Sequence, residues 1–317
     1  MRHIHFIVIL FVFLTACGNG ATIPQEETTT STPLPDMPAA LPTRTLRSSG
    51  THIPSPFPSP SPIVTLTPDA WKGMPVVPIV PDSMVEVFQR GLARGRDPFR
   101  FSKIGDCQNI VTYFLAAFDN PTEYRLGPGY DYLQPTIDHF SGSWSRQSLA
   151  VKSGMNVAAV QNPFWTLTPK PNECSTGEMP LACEIRVNNP SIVIISMEES
   201  WSGDIGRYDS YMRKIVEYVL SQDVVPILAT RAEEADPKVT INNAVTRIAY
   251  DFNLPLWNFW TAAYPLPAHG LTSDEFHLTW AAPFFDDPAR MEMAWPWRNL
   301  TALQAIDAIS RILNRQP

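Results

Sequence analysis

Ser191-Ile192-Val193-Ile194-Ile195-Ser196 (SIVIIS), entered through Pro190, is an uninterrupted apolar run with no polar alternation. A strand that reads this way must be covered on both faces, as strands are in a parallel sheet packed between helices. Downstream, Tyr208, Tyr211, Met212, Ile215, Val216, Val219 and Leu220 fall on one helical face. Val224 to Ala229 (VVPILA) is the next strand, and Ile241, Val245, Ile248, Ala249 and Phe252 mark a further helix. Leu254 to Trp257 (LPLW) is a last short strand, and Ala302, Leu303, Ile306, Ile309 and Leu313 mark a closing helix. Upstream, Asp82 or Ser83 caps a helix running to about Leu92. Phe99 to Ile104 (FRFSKI) reads as a strand, Gly105-Asp106-Cys107 as a turn, and Gln108 to Phe118 as a helix. Tyr130 to Phe140 is another helix candidate, and Ser148 to Lys152 a strand with Gly154 just after it. Strands alternate with helices throughout, which predicts an α/β fold with a parallel central sheet.

Composition confines that fold to part of the chain. Of the 317 residues, 32 are Pro, about twice the usual ~5% share. Ala21 to Ala70 holds 11 of them with 10 Thr, 6 Ser and a single aromatic, Phe57. Such a stretch cannot bury enough apolar surface to offset its ordering entropy. Residues 17–70 are therefore expected to form a Pro/Thr/Ser-rich tether, and residues 71–317 the folded domain. With 24 Lys+Arg against 31 Asp+Glu and a net charge of -7, the chain has no basic block, which argues against nucleic-acid binding.

Arg2 precedes an 11-residue apolar run, Phe6 to Ala16 (FIVILFVFLTA), which has the length of a signal-peptide core and is too short for a membrane-spanning helix of ~20 residues. The run closes on Leu14-Thr15-Ala16-Cys17, which resembles the lipobox of bacterial lipoproteins. The resemblance implies removal of residues 1–16, lipid attachment at Cys17 and a domain anchored in the bacterial cell envelope outside the cytoplasm. The alternative is an ordinary secretory signal with an incidental Cys17.

Three cysteines remain. Cys174 and Cys183 lie nine apart in a loop-like stretch (PNECSTGEMPLACEI), which points to a local disulfide in an exported protein. A metal site is disfavoured, because no His is near and only two thiols are present. Cys107 is then the odd thiol. It follows the first strand and opens a predicted helix, so it is expected at the carboxyl edge of the sheet with a helix amino terminus favouring its thiolate. The competing reading is a buried, inert Cys. Only His139, His269 and His277 are available for imidazole chemistry in the folded part. Asp274 precedes His277 by three residues in Ser273-Asp274-Glu275-Phe276-His277, a spacing that lets the carboxylate fix the imidazole tautomer in a turn.

In order and spacing these blocks resemble the SGNH (GDSL-type) hydrolases. Lys103-Ile104-Gly105-Asp106-Cys107 is similar to their opening G-D-S block, and Asp274-x-x-His277 to their closing D-x-x-H block. Gly154 suits the block whose glycine amide helps bind the oxyanion, and Ser191 to Ser200 lies where the G-x-N-D block follows the third strand. The resemblance implies a three-layer, flavodoxin-like sheet, no cofactor and no metal, and ester substrates such as acyl lipids or acylated glycans. It makes Cys107 the nucleophile in place of Ser, His277 the base and Asp274 its orienter, with the Gly154 and Cys107 amides as oxyanion donors. Glu198 and Ser200 stand where the family has Gly and Asn, a departure expected to weaken oxyanion binding. Trp201 and Trp280, next to these blocks, are expected to line a pocket, whereas Trp257 and Trp260 read as structural. Two functions follow: a hydrolase of small-molecule or glycan esters, or a catalytically inactive SGNH-like domain that binds a glycan or acyl ligand at the cell surface.

Overall fold

The computed structural model describes residues 66–166, 173–197, 204–232 and 241–313. Residues 1–65, with the expected signal peptide, Cys17 and most of the tether, lie outside the described residues. Just before and after residue 71, the Asp69 amide donates to Asn243 Oδ1, and a 3-10 turn spans Ala70–Gly73.

In chain order the regular elements are α1 (Asp82–Ala93), β1 (Asp97–Gly105), α2 (Gln134–His139), α3 (Pro180–Asn188), β2 (Pro190–Ser196), α4 (Ile205–Ser221), β3 (Val225–Ala229), α5 (Ile241–Asp251), β4 (Leu256–Trp257), α6 (Phe259–Ala263) and α7 (Ala294–Leu313). The strands form one parallel sheet in the order β1-β2-β3-β4. Every residue of β2 and of β3 is buried, as the apolar runs require of strands covered on both faces. In register, Ile192 pairs with Val225, Ile195 with Leu228 and Gly105 with Ser196. Helices α4 and α5 pack on each other and on β3; α1, α2 and α6 pack on α7. The chain is thus an α/β protein with a parallel sheet flanked by helices.

Helix α4 forms as its spacing predicts, burying Tyr208, Met212, Ile215, Val216 and Val219 on one stripe. Helix α3 was not legible: Cys183 sits on it, while Pro180 opens it at a position where the missing N–H costs nothing. Asn189, at φ 51°, closes it in the left-handed conformation that Asn tolerates, and Pro190 then starts β2. The strand expected at Ser148 to Lys152 shrinks to one parallel bridge, Gly105 to Val151, held by the Gly105 amide on the Ala150 carbonyl at 3.1 Å.

That bridge sets the topology. From β1 the chain moves outward to Val151 on one side, then returns across β1 to β2, β3 and β4 on the other. β1 is therefore the strand at which the order reverses, the arrangement of flavodoxin-like sheets. In open α/β sheets such a reversal leaves a crevice at the carboxyl ends of the strands.

Candidate functional site

The crevice is bounded by the end of β1 and by Ser196 at the end of β2. Gly105 is required there: a Cβ would fall inside 3.0 Å of both Asn109 Nδ2 and the Ser196 carbonyl. Asn109 folds back over Gly105 and donates to the Ser196 carbonyl at 2.8 Å, tying the turn after β1 to β2. Asp106 is fully buried, and its carboxylate accepts from the Gln108 amide at 2.9 Å, so it shapes the turn that presents Cys107. Cys107 is half-buried and takes part in no disulfide. Cys174 and Cys183 are joined in a disulfide with Cα atoms 5.3 Å apart, as their spacing predicts.

The helix expected from Gln108 to Phe118 does not form. Only a three-residue 3-10 turn, Cys107–Asn109, follows the strand, and a second one spans Ala116–Asp119. The reason lies in the sequence between them. Ile110, Val111 and Thr112 are consecutive β-branched residues, which lose rotamer freedom in a helix. Asn299 of α7 also takes over the local backbone: its Oδ1 accepts from the Leu115 amide and its Nδ2 donates to the Tyr113 carbonyl. Leu115 adopts φ 66°, outside any right-handed helix. The thiolate bias assigned to Cys107 from a helix dipole therefore loses its source, since a single 3-10 turn has no appreciable macrodipole.

Asp274 and His277 form a tight pair. Leu271 and Leu278 bridge as antiparallel partners, the Thr272 amide donates to the His277 carbonyl at 2.7 Å, and Glu275 takes φ 58° at the bend. Inside this hairpin Asp274 Oδ1 accepts from the Thr272 hydroxyl and from the Phe276 and His277 amides. Its Oδ2 meets His277 Nδ1 at 2.5 Å. The His277 ring first, then the His277 amide and the Thr272 hydroxyl, hold the Asp274 carboxyl well below the usual carboxylate range. With Nδ1 donating to the carboxylate, His277 Nε2 is left as the basic nitrogen. Both side chains are about half exposed, at 50% and 51%, so a substrate has access to them.

A hydrogen bond joins the two turns: Gln108 Nε2 donates to the Phe276 carbonyl at 3.3 Å. Residues 108 and 276 are the immediate neighbours of Cys107 and His277, so segments 168 positions apart in sequence meet at the crevice. Gly154 lies three residues beyond Val151 on the same sheet edge, exposed and at φ 76°. A cleft of about 330 Å³ opens between Val111–Ala117 and Trp280–Phe284, the stretches that follow Cys107 and His277. Trp280 lines it and is 62% exposed. Glu198, Ser200 and Trp201 lie outside the described residues. Trp257 is structural as expected, fully buried and stacked on Phe114, with Nε1 donating to Thr301. Trp260 packs edge-on against Trp71 and stacks on Tyr264.

Two buried cations escaped the sequence reading. Arg298 is fully buried, donates to Ser196 Oγ at 2.7 Å, and lies against Phe114, Trp257 and Phe259. Its only signal was a charge inside the aromatic run Trp295-Pro296-Trp297-Arg298. Lys103 of β1 is likewise enclosed, donating to the Trp144 carbonyl at 2.7 Å. Burial pushes its ammonium down to about 7, a shift the nearby Glu184 carboxylate opposes.

No family model matches this chain, and no curated protein does. Among solved structures it is similar to a GDSL-like lipase from Bacteroides thetaiotaomicron VPI-5482, with 13% identity, 71% of this chain and 97% of that chain covered, and a TM-score of 0.37. Likeness at this level bears on no residue of the site, whose reading rests on its own geometry.

Proposed function

We propose that this chain is an SGNH-type hydrolase of esters, acyl lipids or acylated glycans, that works through Cys107, His277 and Asp274. In this reading it is exported and held at the bacterial cell envelope by lipid on Cys17. The observation that carries it is the Asp274–His277 pair, at 2.5 Å, on a hairpin bonded through Phe276 to the residue after Cys107. A carboxylate that fixes a half-exposed imidazole, on a turn bonded to the turn that carries a thiol, is what nucleophilic acyl transfer through Cys107 would use. Its position at the reversal point of a parallel sheet supports the same reading.

The chemistry follows from these groups. His277 Nε2 takes the Cys107 proton as sulfur attacks the ester carbonyl carbon. The backbone amides of Cys107 and Gly154 receive the developing oxyanion. Collapse of the tetrahedral adduct breaks the C–O bond, and His277 returns the proton to the departing alcohol. Water, deprotonated by His277, then attacks the thioester, releasing the carboxylic acid and restoring the thiol. Without a helix dipole at Cys107, thiolate formation depends on His277, so the nucleophile and the base act as a unit.

The test is a panel of p-nitrophenyl acetate, butyrate and octanoate with wild type, Cys107→Ala, Cys107→Ser and His277→Ala. Hydrolysis lost in both Ala variants, with an acyl adduct on Cys107 in the intact mass after rapid quenching, is the expected result. Wild type no faster than Cys107→Ala on every ester would overturn the hydrolase reading in favour of a non-catalytic ligand-binding domain.

A further inference from the structure

A second cavity, of about 580 Å³, runs along the outer edge of the sheet at β4, on the far side of β2 and β3 from Cys107. One wall is the segment leading into α1, which contains Pro75, Pro78 and Pro81. That segment is pinned at one end, where Asn258 Nδ2 donates to the Trp71 and Met74 carbonyls and the Asn258 amide to the Val76 carbonyl. The other wall is the end of α5 and the turn into β4. Met74, Ile79, Tyr250 and Leu256 make the cavity largely apolar, Asn253 adds an amide, and none of the described residues lining it is charged. At its mouth Ile79 is 77% and Tyr250 48% exposed, an unusual amount of apolar surface for two neighbouring side chains with no partner role in the fold.

One polar group in this wall is out of place. Thr246 lines the cavity from the middle of α5, is 3% exposed, and its hydroxyl makes no hydrogen bond. A helical Thr ordinarily returns its hydroxyl to the carbonyl one turn back. Buried hydroxyls are as a rule hydrogen-bonded, so each exception calls for a partner. The volume lies within the ~300–1,000 Å³ range of small-molecule sites, which pair apolar walls with a few oriented polar groups.

We propose that this cavity binds an uncharged, lipid-like molecule whose hydrocarbon body fills the apolar walls and whose single hydroxyl or carbonyl oxygen bonds Thr246 Oγ1. An ionised headgroup is excluded, because it would be desolvated among walls that offer it no counter-charge. The site is separate from the Cys107 crevice and holds whether or not that crevice is catalytic.

The experiment is a displacement titration on the full chain, with N-phenyl-1-naphthylamine as an uncharged fluorescent reporter and 1-decanol or decanoate as competitor. Decanol is expected to displace the reporter at least about tenfold more effectively than decanoate. Thr246→Val removes the hydroxyl and keeps the shape, so it should weaken decanol by about 2- to 10-fold, the value of one hydrogen bond, once the reporter's own affinity is measured on each variant. Ala249→Phe should abolish reporter binding by filling the cavity. Tyr250→Ala, at a half-exposed rim position, should weaken it. Absence of reporter binding, equal potency of decanol and decanoate, or indifference of decanol to Thr246→Val would each overturn the proposal. Reporter binding that survives Tyr250→Ala and Ala249→Phe unchanged would assign it to another surface, with the same consequence.

Discussion

Replacing Gly105 with Ala tests the contact that joins the end of β1 to β2. The added methyl would press on Asn109 Nδ2 and on the Ser196 carbonyl. The carbonyl cannot retreat without disturbing the register in which Gly105 pairs with Ser196. The Asn109 amide can move only by giving up its 2.8 Å bond to that carbonyl. Overpacking costs about 1–3 kcal/mol and the lost hydrogen bond about 1 kcal/mol, so Gly105→Ala should lose about 2–4 kcal/mol. Gly154→Ala is the control. No atom crowds its Cβ, but φ is 76°, so it carries only the left-handed penalty of about 1–2 kcal/mol. Urea unfolding followed by tryptophan fluorescence, with m unchanged, measures both. A loss below about 1 kcal/mol at Gly105, or a larger loss at Gly154 than at Gly105, would refute the close packing of the turn.

Three further outcomes follow. Lys103 has a folded-state pKa of about 7, below its unfolded value, so the unfolded chain binds the extra proton between about pH 7 and 10.4 and stability gains from this group as pH rises through that window; Lys103→Met should flatten the slope by up to about 1.4 kcal/mol per pH unit there, and identical slopes would contradict it. The depressed Asp274 carboxyl stabilises the fold above its unfolded pKa and ceases to as pH falls through its lower folded value, so the stability difference between wild type and Asp274→Asn should shrink on acidification below about pH 4, and Asp274→Asn should cut ester turnover by up to about 10⁴-fold through the wrong imidazole tautomer. Replacing both Cys174 and Cys183 with Ser should cost about 2–3 kcal/mol by the loop-entropy account, and alkylation of the unreduced, exported protein with Cys17 lipidated should label Cys107 alone; a label on Cys174 would contradict the disulfide.

The sheet was legible because burial on two faces leaves a mark in composition: β2 and β3 are unbroken apolar runs, and α4 shows one stripe. The Asp274–His277 pair was legible because three residues bring both groups into one turn. What failed depends on distant partners. The stretch after Cys107 has the apolar content of a helix, yet Asn299, 184 positions from Leu115, claims its backbone groups. Nothing local announces that competition, and local propensity yields to it. Arg298 and Lys103 were missed for a related reason. A buried cation is stabilised by carbonyls, hydroxyls and ring faces that only the fold assembles.

The first turns of α7 hold three lips of the crevice at once. Ala294 and Trp295 donate through their amides to Thr279, just beyond His277. Arg298 grips Ser196 at the end of β2, and Asn299 grips Tyr113 and Leu115 after Cys107. These residues are synthesised after every group they hold, and domains otherwise organise from the amino terminus during translation. A nascent chain that has already made Cys107, Asp274 and His277 still lacks the clamp that sets them against one another. The protein is therefore without its assembled crevice until the closing helix is complete, and a single cut ahead of Ala294 would separate all the chemical groups from the element that gives them a common geometry.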